Sequence, residues 1–252
     1  MPSATSPAIS AILRETAHRP WPLPARRWSM VQVWRDLLFA HWKVPAEIIR
    51  PLIPAPLELD TFAGEAWLTI APFHMSLRFR RLPILRGMTR IPELNCRTYV
   101  TAAGKPGIFF FSLDAASRFA VWGARTFYRL PYFPAQMRVE ARAGIIDYSS
   151  TRIRGGVAAF HGSYSPTSPP RNAQPGSLDH FLVERYCLYA VWRGALYRGD
   201  IHHLPWPLQD ASAQIEENTV PRAASIDVDA THPAVTAFVK ELKVVIWPLI
   251  RA

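Results

Sequence analysis

Several polar residues that could do chemistry lie at element ends or inside apolar segments of one stretch of the chain, residues 93–135. Arg97 lies on a predicted strand, Arg125 lies in a predicted helix, and Tyr132 follows that helix. A buried guanidinium needs a carboxylate partner or a carboxylate ligand, because leaving it unpaired costs several kcal/mol. Asp114 and Glu93 are the candidate partners. Two interpretations stay open: an internal ion pair that holds the sheet to the helix, and recognition of a small anionic ligand.

Histidine is the usual proton carrier near neutral pH, and the chain has eight of them. His41 lies near the end of the first predicted strand, whereas His202 and His203 are adjacent. Neighbouring side chains on a strand point to opposite faces, so at most one of these two faces a given cavity. No His-x-His or His-x-x-x-His spacing occurs, so we expect no metal site and no cofactor. A proton-transfer site would instead pair His41 or His203 with Asp114 or Glu93.

Several common catalytic and nucleotide-binding motifs are missing. The pair Gly104-Lys105 lies in a hairpin turn, whereas a phosphate-binding loop would lead into a helix. Ser112 lies in the middle of a strand with no flanking glycine, so it is not a serine nucleophile of the usual elbow type. Cys96 and Cys187 are far apart in apolar segments, which indicates two small buried side chains in a reducing compartment.

The chain is basic, with 29 Lys and Arg against 19 Asp and Glu and a formal net charge of +10. The basic residues are nearly all arginine, are spread along the chain and never form a run of four. This pattern predicts a solvated surface and argues against a nucleic-acid partner. No apolar run approaches the ~20 residues of a membrane span, and no secretory signal pattern is present. We therefore expect a cytoplasmic protein with no membrane partner.

The pattern of apolar residues predicts many strands and about three short helices, which favours a strand-dominated α+β fold with a curved or closed sheet. Residues 1–27 predict a partly disordered leader, and residues 28–252 predict a single domain. The arginine-rich segment from Met75 to Pro92 predicts a long loop at the edge of a pocket. The other predicted strands cover 31–42, 57–59, 66–73, 95–101, 108–113, 135–141, 145–154, 157–164, 190–197, 211–217 and 235–250. Helices are predicted from Pro45, from Ala115 to Arg129 and from Ser177 to Leu188.

Eight stretches between Trp28 and Asn218 give the chain a resemblance to a known family. They are WRDLLFAHW, LELDTFAGEAWLTIAPF, ELNCRTYV, FFFSLDA, ARTFYRLPY, YSSTR, LVERYCLY and IHHLPWPL. In number and order they resemble the YqjF-like family of domains of unknown function, which is grouped with the acetoacetate-decarboxylase-like superfamily. The resemblance implies a closed, mostly antiparallel β-barrel or cone with a few short flanking helices and an interior cavity.

The same resemblance can be tested on one catalytic segment. Acetoacetate decarboxylases carry an R-E-x-x-G-x-P-K-K pattern, in which one lysine forms a Schiff base with a keto acid. The stretch ARTFYRLPYF places Arg125 on the arginine, Thr126 on the glutamate, Pro131 on the proline, and Tyr132 and Phe133 on the two lysines. Neither tyrosine nor phenylalanine forms an imine. The resemblance then implies a cavity with Arg125 as an anion anchor and Tyr132 as a hydrogen-bond donor.

Three functional hypotheses follow. The first is a protein that binds a small organic acid or aromatic ligand in an apolar cavity; the second is an enzyme on small organic acids or carbonyls that uses acid-base chemistry without an imine. The third is a basic interaction module for nucleic acid or another anionic partner. The oligomeric state and the ligand stay open. The candidate site residues are Arg97, Asp114, Arg125, Tyr132, His203, His41 and Glu93.

Overall fold

The computed structural model describes residues 7–81 and 88–252. Strands dominate, as the sequence predicts, and the helices are short. The strands are β1 Met30–Val44, β2 Glu58–Leu59, β3 Ala66–Phe79, β4 Ile91–Ala102, β5 Lys105–Ala115, β6 Tyr132–Arg142, β7 Ile145–Arg152, β8 Ala159–Pro166, β9 Cys187–Trp192, β10 Ala195–His202, β11 Gln209–Asn218, β12 Val235–Ile246 and β13 Ile250–Arg251. The helices are α1 Pro7–Arg14, α2 Ala46–Ile49, α3 Arg118–Gly123, α4 Leu178–Val183 and α5 Val220–Ala223, with a 3-10 turn over Arg50–Leu52 and a π-helical turn over Ala124–Tyr128.

All thirteen strands belong to one mostly antiparallel sheet that closes on itself. Strands β4, β3, β1 and β12 form a central layer. On one side, β10, β9 and β5 link β12 back to β4; on the other, β11, β8, β7, β6 and β5 make a second link between the same two strands. Only β5 pairs in parallel, with β6 and with β9. The two circuits share the central layer, so that layer has an interior on each face.

Two hydrophobic cores flank the central layer, and β1 supplies both of them. Leu38, Ala40 and Trp42 pack into one core, whereas Leu37 and Phe39 pack into the other. This alternation follows from the two-residue side-chain period of a strand. A layer buried on both faces needs apolar side chains at successive positions, which explains the uninterrupted apolar run in the second half of β1.

Residues 7–27, which we expected to form a partly disordered leader, pack against the domain instead. Ile9 and Ile12 of α1 are buried against Trp28 and Trp247. Further along, the His18 ring nitrogen Nε2 lies 2.8 Å from the main-chain oxygen of His203. The reason is that α1 presents one apolar side, which gains free energy by leaving water. Residues 1–6 of the expected leader lie outside the described residues.

Three predicted elements differ from the structure. The predicted Met75–Pro92 loop is shorter in the structure, because β3 runs to Phe79 and β4 begins at Ile91. Positions 82–87 of that loop lie outside the described residues. The strand predicted over 190–197 is a hairpin, which turns at Arg193 and Gly194 with positive φ angles. The helix predicted from Ser177 to Leu188 ends at Val183, since Glu184 leaves helical geometry and β9 follows.

Candidate functional site

A cavity of about 570 Å³ occupies the interior enclosed by the central layer and by β5, β9 and β10. Its walls are mainly apolar side chains from β1, β3, β5 and the segment 119–130. Ligand pockets of this size, apolar with a few polar groups, are typical of small-molecule sites. The apolar lining includes Met30, Trp34, Leu37, Phe39, Phe73, Met75, Leu77, Phe79, Ile108, Phe110, Leu113, Phe119, Trp122, Phe127, Val183 and Trp206.

The polar groups of the cavity form a stripe on β4. Glu93, Asn95 and Arg97 all line the cavity, and all three are buried. They alternate with Leu94 and Cys96, which pack into the core on the opposite face. At about 3.3 Å per residue, the stripe extends over roughly 13 Å between its terminal Cα atoms. An acid therefore lies at one end of the stripe and a base at the other.

Glu93 is a carboxyl group poised to exchange a proton near neutral pH. The Tyr132 hydroxyl donates a hydrogen bond of 3.0 Å to its Oε2 atom. Burial disfavours the carboxylate and raises the pKa of Glu93 to about 7, although hydrogen bonds from Tyr132 and Asn95 act in the other direction. Burial, together with the neighbouring Glu93, also raises the pKa of Tyr132 well above its usual value, so the phenol stays a donor.

Arg97 is a buried cation without a carboxylate partner. Its guanidinium carbon lies 5.0 Å from the centre of the Phe39 ring. Across residues 7–81 and 88–252 no carboxylate reaches it within ion-pair distance, and its Nε atom has no hydrogen-bond partner. Burial lowers the pKa of Arg97, while Tyr99 supports its charged form. By contrast, Arg185, which also lines the cavity, is paired with Asp60.

The structure brings three of the seven predicted residues, Glu93, Arg97 and Tyr132, to the cavity, and places the other four elsewhere. Asp114 lies behind the wall, because its neighbour on β5, Leu113, points inward and successive side chains alternate. It forms an ion pair of 2.9 Å with Arg152, and both side chains are almost fully buried. The predicted pairing of Asp114 with Arg97 or Arg125 is therefore wrong: Asp114 does form an internal ion pair, but with Arg152 of β7, so the pair joins two strands and does not hold the sheet to the helix.

Neither predicted histidine reaches the cavity. His41 lies 2.9 Å from the Thr69 hydroxyl, and burial together with the nearby Arg97 lowers its pKa to about 3. His203 places its Nδ1 and Nε2 atoms against the main-chain oxygens of Leu204 and Arg185. Burial lowers the pKa of His203 as well. Both rings pack outside the cavity, so the version of acid-base chemistry that needs a histidine in the cavity is not supported.

Arg125 is exposed and lies outside the cavity. Its Nε atom donates a hydrogen bond of 2.6 Å to the main-chain oxygen of Tyr132, and its guanidinium stacks on Phe133. The π-helical turn over Ala124–Tyr128 turns this side chain outward. Arg125 therefore positions the segment that carries Tyr132 and does not contact the cavity. Arg97 and Arg129 line the cavity without an ion-pair partner among the described residues; Arg129 is half-buried against the Trp192 ring, whereas Arg97 is buried.

Sequence reasoning missed Asn95, Arg185 and Trp206. Asn95 had a signal, since it lies two residues before Arg97 on the strand predicted over 95–101 and two residues after Glu93. No sequence pattern identified Arg185 as a cavity residue, because nothing in the sequence links it to Asp60. Trp206 lines the cavity with an indole N–H that has no acceptor among the described residues.

The four lysines of the chain all lie in the described part of the structure, and none lines the cavity. Lys43 is exposed beside the Trp67 ring, and Lys105 lies near the Trp21 ring. Lys240 pairs with Asp36, and Lys243 lies 3.9 Å from Glu241.

Within residues 7–81 and 88–252, no group of three or more His, Cys, Asp and Glu side chains is arranged to hold a metal ion. In the same residues, no helix is long and apolar enough to cross a membrane.

Comparison with known proteins agrees with this architecture. The chain is 50% identical over 228 residues to the uncharacterized protein YqjF of Bacillus subtilis (strain 168), covering 90% of this chain and 94% of that one. The acetoacetate decarboxylase of Legionella pneumophila superposes with a TM-score of 0.61 at 12% identity, covering 99% and 98% of the two chains. The enduracididine biosynthesis enzyme MppR, complexed with pyruvate, superposes with a TM-score of 0.60 at 11% identity, covering 92% and 93%.

The two structural likenesses establish the fold, which is that of the acetoacetate decarboxylases, as the sequence resemblance implied. The model of the DUF2071 family matches residues 31–243, which is most of the chain. This range contains the central layer, the β4 stripe and Tyr132. The chain therefore belongs to the DUF2071 family of uncharacterized conserved proteins.

Proposed function

We propose that this protein binds a small organic acid with an apolar body in the cavity beside β4. The ligand carboxylate would lie against Arg97, and its apolar part would contact the aromatic walls. The observation that carries this proposal is the buried guanidinium of Arg97, which lacks a carboxylate partner among the described residues. An uncompensated buried charge is costly, so a ligand anion that pairs with it gains more than it would in water.

The apolar walls of the cavity determine which ligand body can bind beside the carboxylate. A carboxylate alone would leave most of the 570 Å³ empty, and apolar atoms packed against Phe39, Phe73 and Trp206 would fill it. One protein of this fold, MppR, is known in complex with pyruvate, which supports a small keto acid as one ligand type to test. An oxygen near the Glu93 end would accept or donate a hydrogen bond, because that carboxyl group is partly protonated near pH 7. Monocarboxylates of aliphatic, aromatic and keto type are thus the class to test.

Thermal shift with matched ligand pairs tests the carboxylate requirement. Hexanoate, benzoate and pyruvate should raise the melting temperature of the wild-type protein, whereas the corresponding primary amides should not. Arg97→Met should weaken carboxylate binding at least roughly tenfold, because a hydrogen bond to a charged group contributes about 1.5–3 kcal/mol. Equal shifts with acids and amides, or full binding by Arg97→Met, would contradict the proposal.

Arg142→Met is the matched control, since it removes one exposed guanidinium that lies outside the cavity. It should leave every carboxylate shift unchanged. The unliganded Arg97→Met protein should also fold, because replacing an unpaired buried charge with an apolar side chain of similar length removes a desolvation cost. Loss of ligand shifts in a folded Arg97→Met protein is therefore a binding effect.

A second candidate function is supported by Glu93 alone. A buried carboxyl group with a pKa of about 7 suits a general base that removes a proton from the carbon next to a carbonyl. The proton would pass to the Glu93 carboxylate, the substrate would become an enolate, and the reverse step would return a proton from the Glu93 carboxyl group to carbon. Tyr132 would hold Glu93 in place through its hydrogen bond. This chemistry needs no imine, which fits a cavity lined by no lysine in the described residues.

Deuterium exchange tests the second candidate. Pyruvate incubated with the protein in D2O should lose its methyl proton signal faster than in buffer, and Glu93→Gln should abolish the acceleration. Borohydride added during the incubation should leave the protein mass unchanged. Acceleration that survives Glu93→Gln, or a covalent adduct after reduction, would refute this mechanism, while the thermal-shift result for carboxylates would stand independently.

A further inference from the structure

A hydrophobic surface patch covers the outer side of the segment that follows β5. Eight large hydrophobic side chains of the described residues are exposed, and four of them lie together here. Phe119, Trp122 and Phe127 form a row, with ring centres 6.0 and 6.1 Å apart. Ile153 borders the same groove as Trp122 and is 61% exposed. We call these four residues the aromatic patch.

Local geometry directs these rings outward. The Ser117 hydroxyl caps α3 by accepting from the Ala120 amide, which fixes where the helix begins. Ala120 and Val121 then face the protein and are buried, so Phe119 and Trp122, three residues apart, share the opposite face. A folded, capped helix thus holds its aromatic side chains in water, which is the signature of a contact surface.

Arginines surround the aromatic patch. A groove of about 380 Å³ beside it is lined by Arg118, Arg125 and Arg154, and Trp122 lines both this groove and the cavity. All three arginines are exposed. Among the described residues, the groove lining contains no acidic side chain, and neither Arg118 nor Arg154 has an ion-pair partner. The surface therefore combines positive charge with aromatic rings.

We propose that the aromatic patch and its arginines dock on an anionic phospholipid surface. Aromatic rings on a helix face enter the boundary between headgroups and acyl chains, and arginine binds phosphate groups through its planar fork. Trp122 suits this boundary because its indole is apolar on the face and polar at the N–H. The expectation of no membrane partner rested on the absence of a spanning run, and a peripheral contact of this kind needs none.

The charges favour a lipid surface over two other occupants. A second copy that met this face with the same face would oppose arginine to arginine, which costs free energy. A nucleic acid would stack bases on the rings, but Ile153 cannot stack and three arginines do not form a track along a backbone. A docked membrane would also place acyl chains against Phe119, Trp122 and Phe127, the rings that line the cavity and reach the surface. The inference does not depend on which ligand the cavity takes.

Vesicle co-sedimentation tests this proposal with two pairs of variants. The wild-type protein should bind phosphatidylcholine vesicles that contain phosphatidylserine, bind pure phosphatidylcholine vesicles much more weakly, and lose binding as salt rises. Arg118→Gln with Arg154→Gln should weaken binding roughly 30-fold, which corresponds to about 1 kcal/mol per arginine. Arg142→Gln with Arg222→Gln lowers the net charge by the same amount elsewhere on the surface and should retain binding.

Trp122→Ser should weaken binding at every salt concentration, whereas Ile145→Ser, which alters an exposed apolar residue outside the cavity and the groove, should not. Equal loss in both arginine pairs, or equal binding to the two vesicle types, would overturn the proposal. So would a dimer in sedimentation velocity that Trp122→Ser dissociates, or binding of oligonucleotides with no binding of vesicles. The substituted side chains are exposed, and melting curves confirm that each variant is folded.

Discussion

Glu93→Gln should make the protein more stable than the wild type at neutral pH and not at acidic pH. The substitution keeps the shape of the side chain and its capacity to accept the Tyr132 hydrogen bond, but it removes the charge. Glu93 is 3% exposed, so its ionisation must occur inside an apolar cavity. The cost of that ionisation is what the experiment measures.

The magnitude follows from the shift of the Glu93 pKa, from an ordinary value of 4.5 to about 7 in the folded protein. Between these two values the folded state binds more protons than the unfolded state, so the free energy of unfolding falls as pH rises. The stability is present below the unfolded pKa and is lost as pH rises through the folded pKa. A difference of 7 − 4.5 = 2.5 pKa units corresponds to about 3 kcal/mol in total.

Urea denaturation of both proteins across pH 4 to 8, roughly spanning the two pKa values, provides the assay. The stability of Glu93→Gln minus that of the wild type should rise by about 3 kcal/mol over this range. Titration of buried His41 and His202, whose pKa values burial lowers to about 3 and about 4, cancels in the difference. Glu65→Gln, which changes an exposed carboxylate in a turn, should give a flat difference. A flat difference for Glu93→Gln would refute the description of the cavity.

Three further predictions test the framework around the site. Asp114→Asn should lower the free energy of unfolding by about 3–5 kcal/mol, because it leaves the buried Arg152 guanidinium uncompensated, and adding Arg152→Met should restore part of it. Ile12→Ala should cost about 2–5 kcal/mol in urea denaturation if α1 is an integral part of the domain; a change near zero would indicate a dispensable segment. Gly107→Ala should lower the melting temperature, since the added methyl group would lie 2.7 Å from the Cys187 sulfur, and an unchanged value would contradict this packing.

Much of the fold was predictable from local patterns. The apolar runs in the sequence indicate strands where β1, β3 and β4 lie, and the hairpin turns follow from glycine positions such as Gly104 and Gly144. The common face of Glu93 and Arg97 also follows, because residues four apart on one strand point the same way. The resemblance to the family then added closure of the sheet, which strand patterns by themselves only suggested.

The partner of each buried arginine was less predictable from the sequence, because it depends on contacts between distant parts of the chain. Arg97 and Arg152 are both arginines on strands, yet one meets an apolar cavity and the other meets Asp114. The helix stripe that contains Phe119 and Trp122 looked like an ordinary packing surface, and only the course of β5 and β6 leaves it exposed.

The amino-acid sequence by itself determined the strand-rich class and the side of β4 that carries both an acid and a base, because these depend on composition and on a periodicity of two residues. It also determined the family, through the stretches that resemble other members. The tertiary structure decided that this side faces a hollow, that Arg97 lacks a carboxylate neighbour there while Arg152 has one, and that residues 7–27 close over the domain. These outcomes depend on which distant segments meet when the sheet closes. Contacts between these distant segments bury Glu93 and Arg97. Their burial raises the pKa of Glu93 and leaves Arg97 available to an anion.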